Sequence, residues 1–364
     1  MEFGLSETQS LLQASLRRAV ADAGRASMAT AWTGEARALL AALGIQAATL
    51  PEAHGGMGGG SQESMVILAE LGRGHGATPY VESAVTGGGL VARLGTPAQQ
   101  QSILPRLAAG GLVLAFADGA ADPDTVELRP REDGFRLDGR VRLVPFAPVA
   151  DAVLVACREP AGGETVVILD RARLEPALTP VTTIDGRPAA SIRFDGMAVS
   201  AADLLGPPGE AGRALAAVRD AATAALCAEA TGIMAGLIAA TVEHLNTRTQ
   251  FGAPLAGFQS LQHRVADLFL AWQLAVSLTC KAAIRCGDAD PGPRGLAVSA
   301  AKVETATAAR LVGHEAIQLH GAIGMTDDLP IGHLVKRLKA MEPQYGSIRH
   351  HLDRYRALRR GTEP

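Results

Sequence analysis

The sequence predicts an α+β multidomain protein in which a helical N-terminal domain and a C-terminal four-helix bundle flank a small central β-barrel or sandwich. Three observations support this fold class. Apolar residues recur at helical spacing in the first and last thirds of the chain, and they alternate at strand spacing in the middle. Glycine, proline and aspartate separate the short central segments. We expect domain boundaries at 1–111, 112–205 and 206–364.

The N-terminal region begins with a recognisable helix start. Ser6 is a predicted N-cap, and Gln9 follows three residues later, as in a capping box. A glycine-rich run at 55–60 precedes another helical pattern. Because no strand precedes this run and no Gly-Lys-Ser follows it, we interpret it as a turn rather than a phosphate-binding loop.

The central region changes to short apolar runs. Asp138-Gly139 lies between two alternating runs and predicts a hairpin turn. Four other segments have strand character, and they are 112–116, 152–157, 165–169 and 191–194.

The C-terminal region returns to helical spacing, with four or five helices separated by glycine- and proline-containing segments. These segments are 252–254, 287–293 and 321–330. Connections this short favour antiparallel packing in a bundle.

Composition limits the classes of function. The net charge is −3, which gives no support for a nucleic-acid partner or an anionic membrane surface. The four cysteines have no Cys-x-x-Cys spacing, and we expect them to be reduced and buried. His314, Glu315 and His320 lack the register of a helical metal motif, so no metal site is expected. Without a signal-like start or a long apolar run, a cytoplasmic protein with no membrane span is expected.

The stretch 248–259 lies between two helical patterns. Gly252 and Pro254 interrupt the backbone there, so Arg248 should end one helix close to the start of the next. An exposed guanidinium at such a place can bind an anion, helped by the following helix N-terminus. The alternative is that Arg248 only caps a helix C-terminus, and the stretch alone leaves both open.

The order Arg-x-x-Phe-Gly, a loop, then Phe-Gln and a helix resembles the acyl-CoA dehydrogenase family of flavoproteins. A second motif of that family, Gln-Leu-His-Gly-Ala-Ile-Gly, occupies 318–324. The resemblance implies that FAD is the cofactor and that these motifs bind its pyrophosphate and adenine half across a subunit interface. The matching residues are Arg248, Gln250, Phe251, Gln259, Gln318 and Gly321.

The central region departs from the family pattern. Most members have Thr/Ser-Glu-Pro-x-x-Gly-Ser-Asp where this chain has Phe-Ala-Asp-Gly-Ala-Ala-Asp-Pro at 116–123. The tryptophan beside the flavin is replaced by Leu143, and the hydroxyl that hydrogen-bonds the ring is replaced by Pro145, which has no donor. Both changes argue against a flavin held by this chain's own barrel.

The expected catalytic base is also missing. Many members have a glutamate in a Tyr-Glu-Gly-Thr segment, and that position is Tyr345 here, a neutral phenol that is a poor base at pH 7. Other members carry the glutamate on the first bundle helix, where Ala222 stands. Asp220 is therefore the candidate base, with Glu342 as a second candidate. A capping or surface role is the alternative for both.

These features suggest an FAD-dependent acyl-CoA dehydrogenase subunit that completes the FAD site of a partner. The assembly expected from the family is a homo- or hetero-oligomer, a dimer or a tetramer, with a related subunit. Electron-transfer flavoprotein is the acceptor that the resemblance implies. The alternatives are a catalytic homo-oligomer that uses Asp220 and a flavin-free scaffold subunit.

Overall fold

The computed structural model describes residues 4–22, 38, 41–74, 76–121 and 124–361. These residues form two compact units, and the division falls inside one long helix. The bundle unit contains the described residues of Met1–Thr30, Ser61–Gly76 and Thr223–Pro364, and the sheet unit contains those of Ala31–Gly60 and Ala77–Ala222. The boundaries expected from the sequence, 1–111, 112–205 and 206–364, stay a prediction.

The helices and strands follow the expected order of helical, β and helical regions. The helices are α1 (Glu7–Asp22), α2 (Ser61–Arg73), α3 (Gly89–Leu94), α4 (Pro97–Ala108), α5 (Arg171–Leu174), α6 (Gly212–Thr247), α7 (Gln259–Arg285), α8 (Pro291–His320), α9 (Ile331–Met341) and α10 (Ile348–Arg360). A π-helical segment, Val81–Gly88, precedes α3. The strands are β1 (Leu114–Asp118), β2 (Glu127–Arg131), β3 (Gly134–Pro145), β4 (Ala152–Arg158), β5 (Glu164–Asp170), β6 (Leu178–Thr182), β7 (Pro188–Val199), β8 (Leu204–Leu205), β9 (Thr249–Gln250) and β10 (Ala253–Pro254). The predicted fold class is confirmed.

The described part of the sheet unit contains one mixed sheet of eight strands. Seven run in the order β6-β7-β3-β2-β4-β5-β8, and β1 pairs in parallel with β4. Alternate residues of these strands form a buried apolar core that includes Val155, Leu169 and Ile192. The strand segments predicted at 112–116, 152–157, 165–169 and 191–194 are confirmed, and each observed start lies within three residues of the predicted one.

The predicted hairpin turn at Asp138-Gly139 is wrong, because β3 runs straight through it and pairs with β7 on both sides. The register shifts between Leu137 and Asp138, which marks a bulge. Gly139 has φ +129°, and a Cβ there would lie 2.4 Å from the carbonyl oxygen of Thr125. The glycine therefore serves a bend inside a strand rather than a turn between two strands.

The capping box predicted at the first helix is confirmed. The Ser6 amide donates to Gln9 Oε1 at 3.0 Å, and the Gln9 amide donates to Ser6 Oγ at 3.2 Å. The Gln9 side chain also donates to Glu63 of α2 at 2.8 Å. One residue therefore both starts α1 and attaches it to α2.

Two helices, α6 and α7, are long and apolar enough to cross a membrane by length and composition alone. The apolar window of α6 is 78% buried within the structure, as expected for a core helix, whereas that of α7 is only 28% buried. Helix α7 therefore presents an apolar face that the described residues of this chain do not cover.

Helices α2 and α6 cross at two glycines in the bundle unit. A Cβ on Gly72 would lie 2.3 Å from the carbonyl oxygen of Glu229, and a Cβ on Gly232 would lie 1.9 Å from that of Ala69. Both clashes are with backbone atoms, which cannot move aside as a flexible side chain would. The two glycines therefore set the separation of the helices.

We expect Gly232→Ala to destabilise the protein by about 1–3 kcal/mol, the usual cost of overpacking, because the methyl group must push α2 away from α6. Gly313→Ala in α8 is the matched control, since the nearest atom to its added Cβ is Val335 Cγ1 at 3.5 Å. There the gain in helix propensity should leave stability unchanged or raise it by up to about 1 kcal/mol. Urea unfolding of the two variants checks this, and equal midpoints would contradict it.

Candidate functional site

Arg248 lies at the end of α6 and opens a two-residue β-hairpin, in which Thr249–Gln250 pairs with Ala253–Pro254. The turn residues Phe251 and Gly252 have φ +55° and +80°. Two positive φ values are typical of a type I′ turn, but a phenylalanine in this region is strained by about 1–3 kcal/mol. The Phe251 side chain is 89% exposed and contacts the Phe258 ring edge to face at 6.2 Å.

The guanidinium of Arg248 is exposed and has no ion pair or side-chain hydrogen bond among the described residues. Its backbone, in contrast, is fixed, because the amide donates to His244 O and the carbonyl accepts from Leu255 N, both at 2.9 Å. The side chain does not bond to the carbonyls at the end of α6, so the structure does not support the capping alternative. A positioned cation without a counter-ion is suited to binding an anion.

The second motif ends α8. The Gly321 amide donates to the carbonyls of Ile317 and Gln318, and Gly321 takes φ +68°, which turns the chain out of the helix. Gln318 points from the last turn and is exposed. Met325, which ends the following turn, is 73% exposed.

A histidine pair brings the two motifs together. The rings of His244 in α6 and His320 in α8 stack with centroids 4.6 Å apart and planes at 28°. Arg248 lies one helical turn after His244, and Gln318 lies two residues before His320. The six predicted cofactor-binding residues are all exposed, and we call them the motif surface: Arg248, Gln250, Phe251, Gln259, Gln318 and Gly321.

An apolar groove of about 540 Å³ borders the motif surface. It runs between the end of α6 and the first half of α7, and two of its lining residues, Leu245 and Asn246, directly precede the end of α6. Phe269 and Leu270 on α7 line it and are 46% and 65% exposed. A concentrated exposed apolar surface of this kind marks an interaction site.

The candidate base Asp220 lies in α6 within the sheet unit, and it is only 1% exposed. Its neighbour Arg219 forms ion pairs with Asp118 of β1 at 2.6 Å and with Glu164 of β5 at 3.0 Å. Burial opposes the charge on Arg219, but these carboxylates hold the pKa of its guanidinium above the ordinary value. Asp118 belongs to the segment that departs from the family pattern, so a structural ion-pair cluster occupies that segment here. Sequence reasoning missed the cluster.

In the bundle unit, hydrogen bonds from a buried lysine hold the loop that carries Tyr345. Buried Lys302 donates to the carbonyls of Met341 and Gln344, both at 2.9 Å. Burial lowers the pKa of Lys302, with Arg337 acting in the same direction. Tyr345 itself has φ +54°. The position of the family's glutamate is therefore held rigidly, although it bears a phenol.

Glu342, the second candidate base, is bound by Arg310 through a short hydrogen bond. Its side chain is 25% exposed. The ion pair with Arg310 already engages this carboxylate. Asp220 consequently remains the candidate base of this chain.

The polar sequence of α10 suggests that His350 and His351 lie on a solvated helix face, but His351 is only 1% exposed. Its Nε2 donates to the Tyr345 carbonyl at 3.0 Å, and its Nδ1 accepts from the Ser299 hydroxyl at 3.2 Å. Helix α10 is amphipathic, but its sequence does not show that a histidine lies on the buried side. Burial lowers the pKa of His351 to about 4, despite the bond to Tyr345, which raises it.

Glu229 of α6 is a buried carboxylate that is only 2% exposed. Glu229 accepts two hydrogen bonds from Arg337 of α9, at 2.8 and 2.7 Å, and both side chains are less than a tenth exposed. The expectation of buried cysteines is confirmed for Cys157 and Cys227 but is wrong for Cys280 and Cys286, which are partly exposed. The described residues contain no cluster of histidine, cysteine and carboxylate groups able to hold a metal ion.

Two family models match the chain: the acyl-CoA dehydrogenase N-terminal domain over residues 6–111 and the C-terminal domain over residues 219–355. The acyl-CoA dehydrogenase FadE27 of Mycobacterium tuberculosis is 30% identical over 297 residues, which are 79% of this chain and 78% of the relative. The chain belongs to the acyl-CoA dehydrogenase family. FadE28 from the same organism is 29% identical over 85% of this chain and 88% of its own length.

Solved structures of acyl-CoA dehydrogenases share the fold over the whole chain. The ChsE4-ChsE5 complex from Mycobacterium tuberculosis has a TM-score of 0.89 at 26% identity and covers 99% of both chains. The Tcur3481-Tcur3483 steroid acyl-CoA dehydrogenase has a TM-score of 0.85 at 28% identity and covers 98% of both. Butyryl-CoA dehydrogenase from Megasphaera elsdenii, at 22% identity and a TM-score of 0.87, supports the fold alone.

We expect the neutrality of buried His351 to make stability depend on pH. Because its folded pKa of about 4 lies below the unfolded value of 6.5, the unfolded chain takes up a proton first as the pH falls. The stabilisation is complete above about pH 6.5 and is lost between there and about pH 4, with an upper limit of about 3 kcal/mol.

His351→Gln should remove this part of the pH dependence. The measurement is urea unfolding of both proteins at several pH values, and the difference between them should shrink as the pH falls through this window. A difference that is constant with pH would show that His351 does not titrate as described.

Proposed function

We propose that this chain is a subunit of an FAD-dependent acyl-CoA dehydrogenase, which catalyses α,β-dehydrogenation of an acyl-CoA thioester. In this proposal its motif surface completes an FAD site that is otherwise formed by a related partner subunit. The observation that carries the proposal is Arg248, an exposed guanidinium without a counter-ion among the described residues, on a helix joined to the helix of the exposed Gln318 by the His244–His320 stack.

The donors of the motif surface fit the ADP half of FAD. A pyrophosphate bridge carries two negative charges, and a guanidinium binds such oxygens bidentately. The amides of Gln250, Gln259 and Gln318 add neutral donors at solvent-exposed positions. Helix α7 begins at Gln259 without a side-chain cap, and the N-terminus of a helix favours an anion nearby.

A partner of the same fold explains the uncovered apolar surface. The groove beside Leu245 and the exposed face of α7 are continuous with the motif surface along the chain. We therefore assign the partner subunit as their occupant. The ChsE4-ChsE5 and Tcur3481-Tcur3483 structures are complexes of two named proteins. Their composition supports the proposal that the present chain also assembles with a different subunit.

The redox end of the cofactor is assigned to the partner. When bound, FAD accepts the hydride that leaves the β-carbon of the substrate. This chain has Leu143 and Pro145 at the two positions that serve the flavin ring in most members, and Leu143 is 45% exposed. Tyr345 replaces the base, so the partner must also remove the α-proton. A cytoplasmic location and electron-transfer flavoprotein as the acceptor belong to the same proposal.

We expect Arg248→Ala to lower the FAD content of the complex with a related subunit by about tenfold or more, since a hydrogen bond to a charged group contributes about 1.5–3 kcal/mol. Arg131→Ala, at an exposed arginine of the sheet unit, is the control and should keep full FAD content. The measurement is the flavin absorbance per complex after gel filtration. Unchanged FAD in Arg248→Ala would overturn the proposal.

A catalytic homo-oligomer is the second candidate function, and the burial of Asp220 beside Ala222 favours it. In this case the chain expressed alone should be yellow and should reduce a dye with acyl-CoA. Asp220→Asn, which keeps the side-chain shape, should then retain FAD and lose turnover by about 100-fold or more. Full turnover in this variant excludes Asp220 as the base. Protein that stays colourless both alone and with a partner would instead indicate a scaffold subunit.

A further inference from the structure

The stacked histidines lie at the centre of the two FAD-binding motifs, but neither ring has a role in the proposed function so far. His244 is partly exposed and lies one turn before Arg248, and His320 is 7% exposed and follows Gln318. Their rings are 4.6 Å apart. The pair therefore adjoins the place where phosphate groups would lie on Arg248.

The protonation of the pair follows from its contacts. His320 Nδ1 lies 2.8 Å from the Ala316 carbonyl, which can only accept, so Nδ1 carries the proton of the neutral ring. The pKa of His244 is lowered by burial first, then by His320 of α8 and by Arg248 of its own helix. These two are the titratable and charged groups that act on it among the described residues. Burial, His320 and Arg248 all lower the pKa of His244 in the free protein, and an anion bound nearby would act in the opposite direction.

We propose that His244 is a proton-dependent ligand for the phosphate groups that Arg248 binds, and that binding a diphosphate-bridged dinucleotide draws one proton onto this imidazole. The inference rests on the proposed function. A diphosphate bridge carries two negative charges, and Arg248 supplies one positive charge. Protonated His244 supplies the second, and the bound anion offsets the repulsion between the imidazolium and the guanidinium.

The sign of the pH dependence is fixed by this linkage. The protonated form of His244 binds the anion more tightly, so FAD affinity should rise as the pH falls. The dependence should extend over the range between the pKa of His244 in the free protein and its higher pKa in the complex. Above the higher pKa, the His244 imidazole is neutral both in the free protein and in the complex. His244 should then contribute no pH dependence to FAD affinity.

The test uses the complex of this chain with its related subunit, and it measures the FAD dissociation constant between about pH 6 and pH 8.5, where histidines titrate. The wild-type constant should increase by about tenfold across this range. His244→Asn cannot become a cation, so its constant should be nearly independent of pH and should match the wild type at the alkaline end. His244→Phe, which keeps the ring stack, should behave like His244→Asn.

A second measurement counts the protons directly. Calorimetry of FAD binding in two buffers of different ionisation enthalpy should show proton uptake in the wild type that is absent in His244→Asn. Inorganic pyrophosphate serves as the probe on the full chain alone, where it should raise the pKa of the His244 imidazole measured by NMR. An unshifted imidazole, or the wild-type pH slope in His244→Asn, would overturn the inference.

The two proposals fail differently. If Arg248→Ala lowers FAD binding while His244→Asn keeps the wild-type pH slope, only the role of His244 is wrong. If Arg248→Ala leaves FAD binding unchanged, the proposed function is wrong as well.

Discussion

The bundle unit depends on the buried ion pair between Glu229 and Arg337. Two hydrogen bonds fix the carboxylate of α6 against the guanidinium of α9, and neither group is open to solvent. Removing one partner of such a pair costs about 3–5 kcal/mol, because the other charge stays buried. Arg248 lies 19 residues further along the same helix, about 28 Å at 1.5 Å per residue. The pair therefore sets the register at which α6 presents Arg248 at its end.

The same unit carries an exposed cation but lacks the family's glutamate at the position of Tyr345. Its exposed surface carries a cation without a described counter-ion and several amide donors, which suits an anionic ligand. The loop at Tyr345 is held by Lys302 and His351, yet the position of the family's glutamate carries a phenol. A fixed loop without the base at this position fits the proposed role as a supporting subunit. This contrast, rather than any one residue, supports assigning catalysis to a partner.

Local patterns allowed much of the fold to be predicted. Helical and strand periodicity, the capping box at Ser6 and the break at Gly252 all depend on neighbouring residues, and the structure bears them out. Errors arose where distant residues decide. Gly139 suggests a turn until Thr125 is seen to approach it, and the burial of His351 depends on Ser299 in another helix. The cluster around Arg219 joins residues up to 101 positions apart, which no local pattern reveals.

The hairpin at Phe251 and Gly252 has a consequence for how this chain meets another. The β9–β10 pairing and the hydrogen bond from Leu255 N to the Arg248 carbonyl hold the turn in its strained conformation. The cost of this strain is therefore met during folding. A segment that is ordered before an encounter loses little conformational entropy on docking. The aromatic ring is thus a preformed anchor, and recognition by rigid-body docking should require little rearrangement of this loop.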